Sequence, residues 1–200
     1  INHADADGSV LVGRSAGESI TSGQKCTAVG FESLKTNVDG DDNTAIGYQA
    51  LKTFEAASDG NGQNTAVGSR SLTNLTSGQK NTTLGYFALA QATDTNNCVA
   101  VGRYAMGAGD VAGDGQVAVG MEALAEVVAG TNNVGVGYQA GNVIVGGDNC
   151  TIIGHGADAS GADAQNQSVI GQGATGQANN SVTLGNADVT DIFMGSDKGA

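Results

Sequence analysis

A pentapeptide ending in glycine returns along this chain roughly every 17 residues. Asn43-Thr44-Ala45-Ile46-Gly47, Asn64-Thr65-Ala66-Val67-Gly68 and Asn81-Thr82-Thr83-Leu84-Gly85 are three of its copies. The anchoring glycines are Gly13, Gly30, Gly47, Gly68, Gly85, Gly102, Gly120, Gly137, Gly154, Gly171, Gly185 and Gly195. Most are 17 residues apart, with a longer step of 21 after Gly47 and shorter steps of 14 and 10 at the end. A repeat this short makes one supersecondary unit, which cannot bury its apolar face until neighbours stack on it.

Aligned on glycine, the copies form columns. The residue before it is always aliphatic, as in Val12, Ile46, Val67, Leu84 and Ile170, with Met194 before Gly195. Two places earlier stand β-branched residues such as Thr27, Thr44, Thr65, Val99 and Val117. Alanine dominates between them, at Ala28, Ala45, Ala66, Ala100 and Ala118. Period-two alternation rich in β-branched residues predicts a strand. Stacked in parallel at ~4.8 Å per rung, about twelve such strands make a rod of roughly 55 to 60 Å. The Thr and Val/Ile/Leu columns share one face, expected to point inward. The alanine column, or the small column after the glycine, is expected to let neighbouring chains approach closely.

A second series follows each glycine. The third place is small (Ala16, Ser33, Ala50, Ser71, Ala88), and the fourth is large (Leu34, Leu51, Leu72, Leu89, Met106, Leu124). This arm reads as a second strand. Polar turns such as Thr21-Ser22-Gly23-Gln24 and Asp39-Gly40-Asp41-Asp42 close the rungs, where glycine permits positive φ. The four-residue insertion between Gly47 and Gly68 falls within Phe54 to Gly62. Insertions of this kind map to surface loops and often to binding.

Composition fits a rod. Glycine supplies 33 of 200 residues without a three-residue period, which excludes collagen, and proline and tryptophan are absent. A net charge of −12 argues against nucleic acid, whose phosphates need clustered Lys and Arg. It argues equally against anionic membrane surfaces. No apolar run approaches the ~20 residues of a membrane span, so membrane insertion is not expected. The chain opens at Ile1 without a methionine, as a processed chain or a piece of a longer one would.

The Asn-Thr-Ala-Val-Gly strands, with Ala or Ser three places on, resemble the head repeats of trimeric autotransporter adhesins, the YadA-like head, which also occur in bacteriophage tail fibres and spikes. The resemblance covers Ser9 to Gly195. It implies a left-handed parallel β-roll, mostly of 17-residue period, assembling as a homotrimer. The usual rung of that family is nearer the 14 residues between Gly171 and Gly185. Rungs such as Gly47 to Leu51 look closer to phage fibres than to adhesins. Residues 1–180 would form the repeat β-roll. Residues 181–200, from Ser181 to Asp197 above all, resemble the segment before the self-cleaving intramolecular chaperone of phage fibres. The implied role is structural attachment to a host surface glycan or protein receptor, on a virion or at a cell surface, without catalysis or cofactor. The alternatives are a bacterial adhesin head and a fibre-borne polysaccharide depolymerase.

The residues offer little chemistry of their own. Cys26, Cys98 and Cys150 all stand four places before a glycine, where Asn43, Asn64, Asn81 and Asn133 stand elsewhere. Four and three rungs separate them, ~19 Å and ~14 Å, too far for a disulfide or a shared metal. Threefold symmetry would be needed to gather His155 into a metal site, and the expected reading is a histidine on a groove wall. Asp39-Gly40-Asp41-Asp42 and Asp5-Ala6-Asp7-Gly8 lack the full calcium ligand set. An ice-binding solenoid needs exposed threonine ranks, and an inward threonine column excludes it. The candidate receptor-binding residues follow the glycine directly: Phe31, Tyr48, Tyr86, Arg103, Tyr138 and His155. Aromatic and Arg side chains there suit stacking on sugars or protein, although packing between neighbouring rungs is the expected main role.

Overall fold

The computed structural model describes residues 8–56 and 62–192. It is an all-β solenoid with one strand per rung. Eleven three-residue strands, β1 (Val10–Val12) through β11 (Val182–Leu184), form a single parallel sheet in chain order. Register is unshifted throughout: Thr44 pairs Thr65, Ala45 pairs Ala66 and Ile46 pairs Val67. The twelfth rung at Gly195, the turn at Asp5–Asp7 and the tip of the inserted loop around Asp59 lie outside the described residues.

The expected inner face is reversed. The middle residue of the strand is the buried one, and its two neighbours face outward. Ala28, Ala45, Ala66, Ala100 and Ala118 are fully buried inside their own chain, so the alanine column is not where a second chain approaches. Val12, Leu84 and Ile170 are 49%, 51% and 43% exposed. The threonines of the outer column, Thr27, Thr44 and Thr65, are half-buried, and Thr82 is exposed.

The second arm is not a strand. It is a run of turns in which left-handed residues recur by column. Two places after the glycine, Glu32, Gln49, Arg70, Phe87 and Tyr104 have φ of 53°, 55°, 56°, 56° and 57°. Four places after it, Leu34, Leu51, Leu72, Leu89 and Met106 have φ of 49°, 48°, 50°, 50° and 49°. Left-handed backbone costs an ordinary residue about 1–2 kcal/mol. The return is a ladder of backbone hydrogen bonds to both neighbouring rungs. The Arg70 amide donates to Tyr48 O at 2.8 Å behind it, while the Leu72 amide donates to Ala88 O at 3.0 Å ahead. Alternating left-handed residues thus aim every second amide at opposite neighbours, while the amide between, Ser71 N–H, bonds Gly68 O of its own rung.

The anchoring glycine is obligatory for a second reason. At Gly68, φ is +131° and an added Cβ would stand 2.4 Å from the carbonyl oxygen of Gly85 in the next rung. The core is a narrow slot between sheet and turn wall, filled by the alanines on one side and Leu34, Leu51, Leu72, Leu89, Met106 and Leu124 on the other.

Candidate functional site

One column inside the slot is polar. Asn43, Asn64, Asn81, Gln116 and Asn133 are fully buried. Each side-chain oxygen accepts from the backbone amide of the next rung: Asn64 N–H to Asn43 Oδ1 at 3.1 Å, Asn81 N–H to Asn64 Oδ1 at 3.0 Å, and Cys98 N–H to Asn81 Oδ1 at 3.0 Å. The amide nitrogens of Asn64, Asn81, Gln116 and Asn133 donate to turn carbonyls, Asn81 Nδ2 to Thr95 O at 2.8 Å for example. The ladder satisfies amides that the short strands leave beyond their ends, as buried backbone groups require. Cys26, Cys98 and Cys150 are buried free thiols in the same column, four and three strands apart. Burial pushes all three above the usual thiol range, so they resist becoming thiolates.

The acidic turns cap rungs. Asp41 Oδ1 accepts from Gln24 N–H at 2.7 Å, Asp114 Oδ1 from Asn96 N–H at 2.8 Å, and Asp148 Oδ1 from Thr131 N–H at 2.7 Å. Each carboxylate serves the backbone of the preceding rung. No group of three or more His, Cys, Asp or Glu side chains suited to a metal occurs among the described residues.

The residues after the glycine form the most distinctive surface. Arg14 lies 5.4 Å over the Phe31 ring, Phe31 stacks on Tyr48 at 5.5 Å, and Arg70 lies 5.6 Å over Tyr48. Arg70 is also 5.3 Å over Phe87, which stacks on Tyr104 at 5.3 Å, and Arg103 lies 5.0 Å over Tyr104. One cation–aromatic ladder therefore runs unbroken over six rungs. Tyr86 joins it edge-on, 5.7 Å from Tyr104. Tyr138 and His155 stack at 5.0 Å as a separate pair farther along. Of the candidates, Phe31, Tyr48, Tyr86 and Arg103 are thus brought together, and Tyr138 and His155 stand apart.

The neighbouring column, two places after the glycine, supplies Arg70, Phe87 and Tyr104. Sequence reasoning passed over it, yet Phe87 and Tyr104 are two of the three aromatic side chains between β5 and β7 and were visible as such. Beside the ladder sits a charge cluster. Glu32 accepts from Lys52 Nζ at 2.8 Å, Gln49 Nε2 at 2.9 Å and Lys35 Nζ at 3.0 Å. These donors, Lys52 first, hold the Glu32 carboxyl down at about 2.

No protein-family model, curated protein or solved structure matches this chain.

Proposed function

We propose that this chain is a structural segment of a trimeric attachment fibre of the bacteriophage tail-fibre or spike kind, carried on a virion or cell surface, which grips a host glycan or protein rather than transforming it. The observation that carries this reading is the outer face of the sheet. Two columns run its full length, one Thr/Val and one Val/Ile/Leu, without a charged residue in either. At ~4.8 Å per rung the strip is about 48 Å long. A soluble rod gains nothing from an uncovered apolar strip of that length, and such patches mark association surfaces. Strips with identical columns on parallel copies match in register, as a closed symmetric assembly needs. The threefold count and the fibre context come from the resemblance to YadA-like head repeats.

Light scattering on the purified chain tests it. The expected mass is three times 19.7 kDa. A mass of one chain would remove the trimer and with it the fibre reading. The outward threonines then favour a second reading. Their exclusion from ice binding rested on an inward column, and Thr27, Thr44, Thr65, Thr82 and Thr151 instead line the outer face. A monomeric rod with that face uncovered should shape growing ice crystals; a trimer that covers it should not.

A further inference from the structure

The surface groove of about 310 Å³ beside the ladder is lined by Gln49, Lys52, Thr53, Arg70, Thr73, Asn74, Phe87 and Gln91. All stand two, five or six places after Gly47, Gly68 or Gly85. None belongs to the outward strand columns, so the groove stays open when the sheet face is covered. Its size suits one or two sugar units, at the lower end of the ~300–1,000 Å³ typical of small-ligand sites.

The groove holds two of the 8 basic residues, Lys52 and Arg70. Lys35 and Lys52 pair with Glu32, and Arg103 with Glu122 at 3.5 Å. Arg70 is exposed and pairs with no carboxylate among the described residues. Its guanidinium carbon lies over two rings, 5.6 Å from the centre of Tyr48 and 5.3 Å from that of Phe87. Its N–H donors form the planar fork that matches a carboxylate or phosphate. Contact with the two rings limits the rotamers open to the side chain, which lowers the ordering cost of binding. Across the groove Asn74 Nδ2 donates to Gln91 Oε1 at 3.0 Å, leaving Asn74 Oδ1 and Gln91 Nε2 to meet sugar hydroxyls. Phe87, half-buried, supplies an apolar ring edge for a pyranose to rest on.

We infer that this groove is a subsite for an acidic sugar, whose carboxylate or phosphate bonds the Arg70 guanidinium while its ring lies along Phe87. The inference rests on the attachment reading and names the chemistry it would recognise. The test is calorimetry and saturation-transfer NMR on the assembled full chain with three probes: an oligogalacturonide, mannose 6-phosphate and a neutral galactan. At least one anionic probe should bind, with saturation transfer to the sugar ring, and the galactan should bind at least tenfold more weakly. Which anionic probe wins separates carboxylate from phosphate. Arg70→Gln should weaken binding at least tenfold, while Arg103→Gln, whose partner is Glu122, should not. Equal binding of the galactan, an unaffected Arg70→Gln variant, or no binding of either anion at millimolar concentration overturns it. Attachment to intact bacterial cells separates the two readings. Cells held by wild type and Arg70→Gln alike sink the groove and spare the fibre; acidic sugars bound by a chain that holds no cells do the reverse.

Discussion

The three glycines Gly85, Gly156 and Gly161 dissect what a rung-to-rung contact contributes. Gly85 has φ +146°, and a Cβ there would meet the Gly102 carbonyl oxygen at 2.4 Å and its carbon at 2.7 Å. Both obstacles are backbone. They are pinned by the Gly85 amide donating to Val67 O and the Gly102 amide donating to Leu84 O, each at 2.8 Å. Gly156 has φ +60° but nothing within 4 Å of an added Cβ. Gly161 has neither the positive φ nor a neighbour. Gly156→Ala should therefore show the torsional cost alone, about 1–2 kcal/mol. Gly85→Ala adds an overpacking cost of about 1–3 kcal/mol, for ~2–5 kcal/mol together. Gly161→Ala restricts only the unfolded chain and should stabilise by ~0.4–1 kcal/mol. At about 2–4 °C per kcal/mol for a chain of this size, Gly85→Ala should lower the melting temperature by ~10 °C, Gly156→Ala by a few degrees, and Gly161→Ala should raise it slightly. Far-UV circular dichroism reads the melts. Amide exchange should place the damage between β5 and β6, because a solenoid feels an insult only through the adjacent interface. Equal losses for Gly85→Ala and Gly156→Ala would refute the close backbone approach on which the stack depends.

Ala66→Asp and Val67→Asp should part company. The first sets an unpaired charge in a fully buried position, a cost of at least ~4 kcal/mol, and should abolish the fold by circular dichroism. The second faces outward, so the single chain should keep its dichroism spectrum while light scattering shows the assembly falling apart; loss of fold in both would restore the inward reading of the Val column. The Glu32 carboxyl should titrate at about 2 by carbon NMR, moving up to the ordinary range in Lys52→Met. Because its folded pKa is depressed, the small stability it lends is present above the unfolded value near 4.5 and is lost as pH falls toward 2. Glu32→Gln should flatten stability in that window and lower it slightly at neutral pH, where the wild-type contribution is fully present.

Repeat, period, parallel stacking and the isolation of the three cysteines were all legible in the sequence, because each follows from spacing alone. The conformation of the second arm was not. Leu34, Leu51, Leu72 and Leu89 at positive φ run against ordinary backbone preference, and only the two-sided ladder they complete makes the choice intelligible. The cation–aromatic ladder was half legible. The column holding Phe31, Tyr48, Tyr86 and Arg103 was singled out, but Arg70, which joins Tyr48 to Phe87, lies one place along. Neighbouring columns of adjacent rungs come within reach of each other once the rungs are stacked, and a single aligned column does not reveal that.

The reversed strand face has a sharper cause. A three-residue strand presents two side chains on one side and one on the other. Where all three are apolar, as in Val99–Val101, alternation gives the period without the phase. The phase was nonetheless written in the covariation between rungs. Where the strand centre is Ala45, Ala66, Ala100 or Ala118, the wall residue four places after the glycine is Leu51, Leu72, Met106 or Leu124, and all are fully buried. Where the centre is large, the wall residue is not a large apolar one: Leu11 with Gly17, Ile152 with Asp158, Val169 with Thr175. At Gly17 the steric reason is direct, since an added Cβ would stand 2.7 Å from Leu11 Cδ2. In the eighth rung both positions are glycine, Gly135 and Gly141, and Leu124 of the rung before occupies the space, 2.7 Å and 2.6 Å from where their Cβ atoms would be. Summed volume is thus held nearly constant across the slot, as close packing demands. Two columns that trade volume must share an interior, and that assigns the alanines to the inside and leaves the Thr and Val ranks to meet whatever covers the rod.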